Sequence, residues 1–438
     1  MKFCFLSRYR FAALLLSAGI AVFMPAGISL AGSYDVLHTF CSGGTCADGQ
    51  YSAAPLVTDA SGNFYGTAAL GGDAGWGTIF EFVKRNGGYR FKRLHSFCSK
   101  PNCTDGSDPV AGLIADAAGN LYGTTKFGGA QNGGAAFELI LSGGKKRFRV
   151  LHSFCAQGAP CADGSNPVYD GLAYRGKASG QPYDGASPLY GTTIYGGENN
   201  GGFSGVVYRL LPVAGKSKWK ETVLYQFCAQ ANCADGSQPY NGLTVDTAGN
   251  LFGVTFGGGS QGDGALFRLS QQKRNWTETV LHNFCTQANC ADGSNPEAAL
   301  AVDGSGDLIG TTTSGGANGG GVVFKVAANN SNYGVLYDFC AQPNCADGYN
   351  PIGALAIDES GNIFGSNLRG GDADNDGGVL YELSDSTFSV LYTFCSTGNC
   401  IAGRRSVGGP VRDGAGDLFG TTTLGGGPDQ GVVYELTP

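Results

Sequence analysis

The residues with the most chemical potential are fourteen cysteines in seven close pairs: Cys41 with Cys46, Cys98 with Cys103, Cys155 with Cys161, Cys228 with Cys233, Cys285 with Cys290, Cys340 with Cys345 and Cys395 with Cys400. A Cys pair can be half of a zinc site, but zinc needs two further ligands, and no unit offers them. The alternative is a short disulfide loop, worth about 2 kcal/mol in the loop-entropy model before strain. Repeated pairs in an exported chain are read that way, so seven local disulfides are expected.

Histidines and carboxylates are the other candidates. His38, His95, His152 and His282 share one repeat position, held elsewhere by Tyr225, Tyr337 and Tyr392. His and Tyr have in common a ring that packs on a strand, not a proton-transfer role, so no catalytic residue is assigned. An Asp-Gly step follows six Cys loops, at Asp48, Asp105, Asp163, Asp235, Asp292 and Asp347, and gives way to Ala402-Gly403 in the seventh. These carboxylates either satisfy loop N–H groups or form a rim for Ca2+ or a sugar. The loop Asp372-Ala-Asp374-Asn-Asp376-Gly377 matches the opening half of a Ca2+ site, where alternate oxygens wrap a hard cation. Leu383 stands where the closing Glu belongs, so Ca2+ is admitted and no cofactor is required. Gly258-Gly-Ser260-Gln-Gly262 fits a nucleophile pattern, and from Gly257 a dinucleotide fingerprint. Neither runs into a helix, and 75 glycines yield such matches by chance.

A repeat must position these groups. The first cysteines of successive pairs lie 57, 57, 73, 57, 55 and 55 residues apart, a period that signals a solenoid or a propeller. Each unit holds four strand-like runs and no helix-period segment; in the second unit they are 112–116, 120–125, 134–140 and 148–154. Four short strands make one propeller blade. Six units join their first two strands through Asp-x-x-Gly-Asn or Asp-x-x-Gly-Asp, where Asp accepts nearby N–H groups and Gly takes positive φ. The exported chain opens with a strand of the fourth kind, 36–40, and closes with one of the third kind, 432–436. If the first completes the last blade, residues near 408–436 plus 35–40 close the ring and no edge is left exposed. The expectation is an all-β, seven-bladed β-propeller over 32–438; a parallel β-helix is the runner-up. The third unit has ten extra residues between Pro167 and Gly191, expected as a loop on the face opposite the Asp-Gly steps.

Residues 1–31 read as a signal peptide: Lys2, Arg8 and Arg10, an apolar run from Phe11 to Met24, then small residues at Ser29-Leu-Ala31. The run is shorter than the ~20 residues of a spanning helix, and Cys4 precedes it. Without this leader the chain carries 25 Lys+Arg against 35 Asp+Glu, which speaks against a nucleic-acid or anionic-membrane partner. A monomer that is periplasmic, secreted or at the cell surface is expected.

Asp-Gly-x-x-Pro, Gly-Asn-Leu-Tyr-Gly-Thr-Thr, Gly-Gly-x-Asn-Gly-Gly and Val-Val-Tyr-Glu-Leu recur through 33–438. Together they resemble the GloVer tandem repeat of bacterial choice-of-anchor proteins. The resemblance implies an exported, propeller-like surface protein of unassigned role and brings no catalytic residues. Such proteins often end in an anchoring tail; here the sequence stops at Pro438 after a strand, which favours a soluble secreted or periplasmic product. Three functions compete. A non-catalytic module would bind carbohydrate or a surface protein through loop aromatics such as Tyr240 and Tyr349. A polysaccharide lyase or glycoside hydrolase would place unlike polar residues at the axial mouth, with Asp170, Glu297, Arg404 and Arg405 as candidates. A structural envelope component would make no demand on any residue.

Overall fold

The computed structural model describes residues 32–144, 146–167, 171–213, 218–327, 332–372, 376–385, 387–396 and 398–438. The expected leader, Asp170 and Asp374 lie outside them. Seven antiparallel sheets follow one another around an axis, and among the described residues there is no α-helix, only short 3-10 turns. Blade 1 runs outward as Val57–Thr58, Phe64–Ala68, Thr78–Arg85 and Gly88–Ser96. Blade 7 is Val411–Arg412, Leu418–Thr421 and Val432–Thr437, completed by Ser33–Thr39. That last pairing runs antiparallel from Ser33↔Thr437 to Thr39↔Val432, so the N-terminal strand closes the ring as expected.

The second strand of each blade explains the Leu-Tyr-Gly-Thr-Thr motif. Leu121–Thr125 is buried throughout, so both faces must fit neighbours. Gly123 is required because a Cβ there would lie 2.7 Å from the Phe137 ring. The first Thr of the motif reaches the next blade: Thr67 Oγ1 donates to Ala111 O at 3.1 Å and Thr192 Oγ1 to Asn241 O at 2.7 Å. Thr421 Oγ1 donates to Ala54 O at 3.3 Å across the closure.

The core is divided into seven slabs, one between each pair of neighbouring blades. Between blades 1 and 2, for instance, Tyr65, Ile79 and Phe97 meet Leu121, Phe137 and Leu139. Each such ring or aliphatic side chain contributes about 1.5–3 kcal/mol on burial. The bridging between third and outer strands shifts by one residue in every blade, as between Ile79 and Phe80 or Ala136 and Phe137. Such a bulge re-aims side chains; here it turns Leu94 and Leu151 inward just before His95 and His152.

These re-aimed rings form the outer seams. His95 stacks on Phe148 of the next blade at 4.1 Å, His282 on Tyr333 at 3.7 Å, Tyr337 on Phe388 at 4.1 Å, Tyr392 on Tyr34 at 3.8 Å and His38 on Phe91 at 4.2 Å. In each pair the second ring stands four residues before its own blade's His or Tyr.

Blade 3 departs from the expected four strands. Leu189–Thr193, Val206–Pro212 and Trp219–Gln226 form its sheet, and its inner strand is reduced to a bridge between Ala173 and Tyr190. The extra residues lie on the expected face, folded against the ring. Tyr183 is fully buried, bridges Asp116 of blade 2 and packs at 5.1 Å from Tyr122. Arg175 donates to Thr247 O of blade 4.

Candidate functional site

Two sets of loops share one face. The seven cysteine pairs are disulfides, each within its own loop: Cys41 to Cys46, Cys98 to Cys103, Cys155 to Cys161, Cys228 to Cys233, Cys285 to Cys290, Cys340 to Cys345 and Cys395 to Cys400. The expected local pairing therefore holds in every unit, and among the described residues no thiolate is left for a metal. The second cysteine of each pair has a further role, because its backbone carbonyl anchors the neighbouring loop between second and third strands. Gly72 donates its N–H to Cys46 O, Gly129 to Cys103 O, Gly197 to Cys161 O and Gly259 to Cys233 O, all at 2.8–3.0 Å. Gly316, Gly371 and Gly426 do the same to Cys290 O, Cys345 O and Cys400 O, at 2.8–3.0 Å. The residue before each donor must be glycine, because a Cβ on Gly128 would sit 2.6 Å from Cys103 O at a φ of +75°.

The Asp-Gly carboxylates are spent inside this face. Asp105 accepts from Ser99 N at 3.0 Å, Ser99 Oγ at 2.6 Å and Lys100 N at 3.2 Å. Asp347 accepts from Tyr337 Oη at 2.8 Å and His38 Nε2 meets Asp48 at 2.9 Å, which identifies the partner of the His/Tyr position. Burial pushes the Asp292 carboxyl up, but hydrogen bonds from Thr286 and Gln287 outweigh it and hold it below the usual carboxylate range.

A second seven-fold link shows where the repeat is broken. In each unit the residue two after the Asp-Gly step's Gly takes positive φ and donates its N–H to the preceding blade's loop at 2.7–3.1 Å. The accepting carbonyls belong to Gly133, Ser204, Asp263, Gly320, Gly377 and Gln430, and in blade 1 to Trp76. Trp76 is 47% exposed. It lines a cavity of about 290 Å3 with Phe127 and Asn132 of blade 2's loop and Cys103 and Ser107 of the linker. Asn132 is exposed, and its Oδ1 accepts from Gly128 N at 2.9 Å. Lys126 Nζ lies 5.3 Å from the Phe127 ring centre. Blade 3 adds Tyr195 and the exposed Phe203, with centroids 6.4 Å apart. The position of Phe127 and Tyr195 becomes Gly257, Ser314 and Arg369 in blades 4 to 6.

The residues expected from sequence fall into separate places. Tyr349 and Asp376 come together: Tyr349 Oη lies 3.5 Å and Arg369 Nη1 3.2 Å from Asp376 Oδ2, while Oδ1 accepts from Gly370 N at 2.7 Å. Asp376 is therefore engaged by the turn it caps; Asp372 is described and Asp374 is not. Arg404 forms a fork on Asp429, at 3.2 and 2.7 Å, and does not meet Tyr349's cluster in any hydrogen bond among the described residues. Tyr240 packs on Phe256 at 5.1 Å. Glu297 holds the same repeat position one blade on, and burial alone pushes its carboxyl up to about 7. Among the described residues the one close group of metal-ligand types is Asp263, Cys285 and Cys290, and the disulfide removes both thiolates. On the axis, a cavity of about 450 Å3 is walled by inner-strand apolar side chains such as Leu56, Leu243 and Ile357, with Arg412 and Lys177 as its charged residues. Sequence reading missed Trp76 and Phe127; the signal was there for Trp76, an aromatic at a loop position that is small or polar in all six other units, and weaker for Phe127, whose position is apolar in half of them.

The model of the Gloeobacter/Verrucomicrobia repeat matches residues 26–187 and 177–434. The chain belongs to this repeat family. The two matched stretches together span every blade. No curated protein matches the chain in sequence. Among solved structures, an ancestral GH74 enzyme aligns with a TM-score of 0.55 at 12% identity, over 89% of this chain and 47% of that one. TolB from Acinetobacter baumannii aligns at 0.40 and 9% identity, over 87% and 78%. Trypanosoma rangeli sialidase aligns at 0.40 and 10% identity, over 81% and 57%. The GH74 likeness, the one of these three above a TM-score of 0.5, shows a shared propeller fold alone.

Proposed function

We propose that the protein is an exported, non-catalytic carbohydrate-binding propeller whose platform is the Cys-loop face of blades 1 to 3. The groove of Trp76 and Phe127 carries the reading: an exposed indole, a second ring and the exposed side-chain amide of Asn132 suit a sugar, since its C–H face stacks on aromatics and its hydroxyls take directed hydrogen bonds. Sites of this kind are largely preformed and mix apolar walls with a few polar groups. Seven disulfides fit an oxidising compartment outside the cytoplasm, and no helix among the described residues is long and apolar enough to cross a membrane. Affinity electrophoresis against neutral polysaccharides tests the platform. Trp76→Ala is expected to weaken binding at least tenfold with an unchanged melting temperature; full affinity in that variant removes the proposal.

One observation favours a second reading. A carboxyl titrating near 7, as burial gives Glu297, suits a general acid. A glycoside hydrolase also needs a second carboxyl, at about 5 or 6.5–9.5 Å, and no charged neighbour contributes to the Glu297 shift. Hydrolysis that disappears in Glu297→Gln would establish the enzyme.

A further inference from the structure

The ring hides a charge division behind its net acidity. Residues 32–283, which supply blades 1 to 4 and the strand that completes blade 7, carry 20 Lys+Arg against 18 Asp+Glu; residues 284–438 carry 5 against 17. The cations of the first segment concentrate on the hairpins between third and outer strands, on the face opposite the Cys loops. Blade 1 exposes Lys84, Arg85, Arg90 and Lys92 there, and blade 2 Lys146 and Arg147. Blade 3 exposes Lys218 and Lys220, and blade 4 Lys273 and Arg274. Of these ten, only Lys92 forms an ion pair among the described residues, with Glu81 at 3.1 Å. Glu81 is committed to Tyr65 and Lys92, and Glu138 to Tyr122 and Arg149; beside blade 1 the carboxylates of Glu435, Asp413 and Asp417 act on Lys84 or Tyr89 without forming an ion pair with the row.

Strand lengths lift this charge clear of the ring. In blade 1 the second strand begins opposite Phe82, and the third runs three residues further to Arg85; in blade 4 it runs from Leu269 on to Gln272. At about 3.4 Å per residue the tips stand roughly 10 Å beyond the start of the second strand, with the inner turn of blade 1 alongside Lys84, whose N–H donates to Asn63 Oδ1 at 2.9 Å. In blade 5 the third strand ends level, at Val326 opposite Leu308. Cations on outer strands could simply guard edges against pairing with other chains. That need is the same in every blade, yet Tyr333–Asp338, Thr387–Thr393 and Ser33–Thr39, the outer strands of blades 5 to 7, contain no Lys or Arg.

We propose that this crescent of hairpins over blades 1 to 4 binds a linear acidic polysaccharide bearing carboxylates or sulfates. An extended row of cations, nine of the ten outside any ion pair among the described residues, fits a polyanion rather than a small anion. The tips of blades 1, 2 and 4, at Asn86–Gly87, Ser142–Gly144 and Lys273–Arg274, offer no apolar side chain to insert into a bilayer. A curved row follows a flexible polymer better than a plane. The proposal is independent of the Trp76 groove on the other face.

Polygalacturonate and its fully methyl-esterified form share a backbone and differ in charge, so they supply the test with the exported chain. The acid form is expected to bind, at least tenfold more weakly once salt rises from about 50 to about 300 mM. The ester form is expected to bind at least tenfold more weakly and without salt dependence. Lys84→Glu, Arg85→Glu, Lys273→Glu and Arg274→Glu combined should cost at least tenfold in affinity. Lys146→Glu with Arg147→Glu serves as a second charge reversal, and melting curves check that both variants fold. Equal binding of the ester, unchanged affinity in both reversals, or equally tight binding to phosphatidylglycerol vesicles or duplex DNA would each overturn the proposal.

Discussion

Blade 3 and the two seams that flank it are built differently from the rest of the ring. Five outer seams are closed by ring on ring, but in the seams on either side of blade 3 the position four before the His or Tyr is Glu221 and Glu278. Both side chains are partly buried, and burial pushes each carboxyl up to about 7. The same blade lacks a full inner strand and carries the insertion that braces it to blades 2 and 4 through Tyr183 and Arg175. Trp219 and Trp276, two residues before the glutamates, pack into the adjoining slabs. The difference teaches that closure of the ring needs every seam filled but not every seam filled alike: apolar area lost beside blade 3 at Glu221 and Glu278 is replaced two residues along the same outer strands by Trp219 and Trp276.

If that is right, a ring removed from an ordinary seam has no substitute. Tyr333 stacks on His282 and donates to Asp292 O at 2.5 Å, so Tyr333→Ala loses an aromatic contact, a buried hydrogen bond and core volume. A loss of about 3 kcal/mol is expected from urea unfolding. A change under about 1 kcal/mol would show that the stacked seams are as dispensable as the glutamate ones.

The glutamate seams should respond to pH in the opposite sense to an ordinary carboxylate. Glu221 has a folded pKa raised to about 7 from the usual 4.5, by burial first and with Asp163 adding to it against His152. Below 4.5 it is protonated in both states and costs nothing. As pH rises from 4.5 through 7 the folded protein must ionise a partly buried group, and stability is lost, with the full cost present above 7. Glu221→Gln removes this cost. After discounting for the part of the side chain that faces solvent, the gain is about 1 kcal/mol, a rise of a few degrees in melting temperature at pH 8 that vanishes at pH 4.5. An equal rise at both pH values would assign the effect to packing rather than charge.

The ring and its closure were legible because each rests on chain order: four strand-like runs per period, and terminal strands of complementary kinds. The disulfides were legible for a simpler reason, since cysteines five or six residues apart leave little room for any partner but each other. The insertion's face could be read too, because a loop between first and second strands has only one side to occupy. The His/Tyr position was readable as a ring, but not its Asp partner, because the bulge between Val36 and His38 and its six counterparts breaks the simple alternation that sequence patterning assumes. The glutamates escaped notice for the same reason, four residues upstream of a bulge. In the candidate site, Tyr349 and Arg404 were chosen for standing near inner-strand entrances, yet the structure engages them with Asp376 and Asp429. Trp76 lay in a Gly-rich loop that reads as turn chemistry until the seven units are compared position by position.

The smallest effect distinguishes whether the histidine seams depend on a ring or on an imidazole. His95 stacks on Phe148, and its Nε2 is buried 3.8 Å from Asp105. Burial lowers its pKa to about 4; Asp105 opposes this and Lys146 and Lys100 reinforce it. A depressed histidine contributes stability that is complete above 6.5 and is lost as pH falls from 6.5 towards 4, because only the unfolded chain takes up the proton readily. In other units a tyrosine hydroxyl spans the same gap, Tyr225 to Asp235 at 2.7 Å and Tyr337 to Asp347 at 2.8 Å. His95→Tyr should therefore change stability at pH 8 by less than about 1 kcal/mol and flatten the decline between pH 6.5 and 4, read from urea midpoints across that range. A variant that is several-fold less stable at pH 8, or that keeps the wild-type slope, would mean that the imidazole itself and not its ring shape holds the first seam.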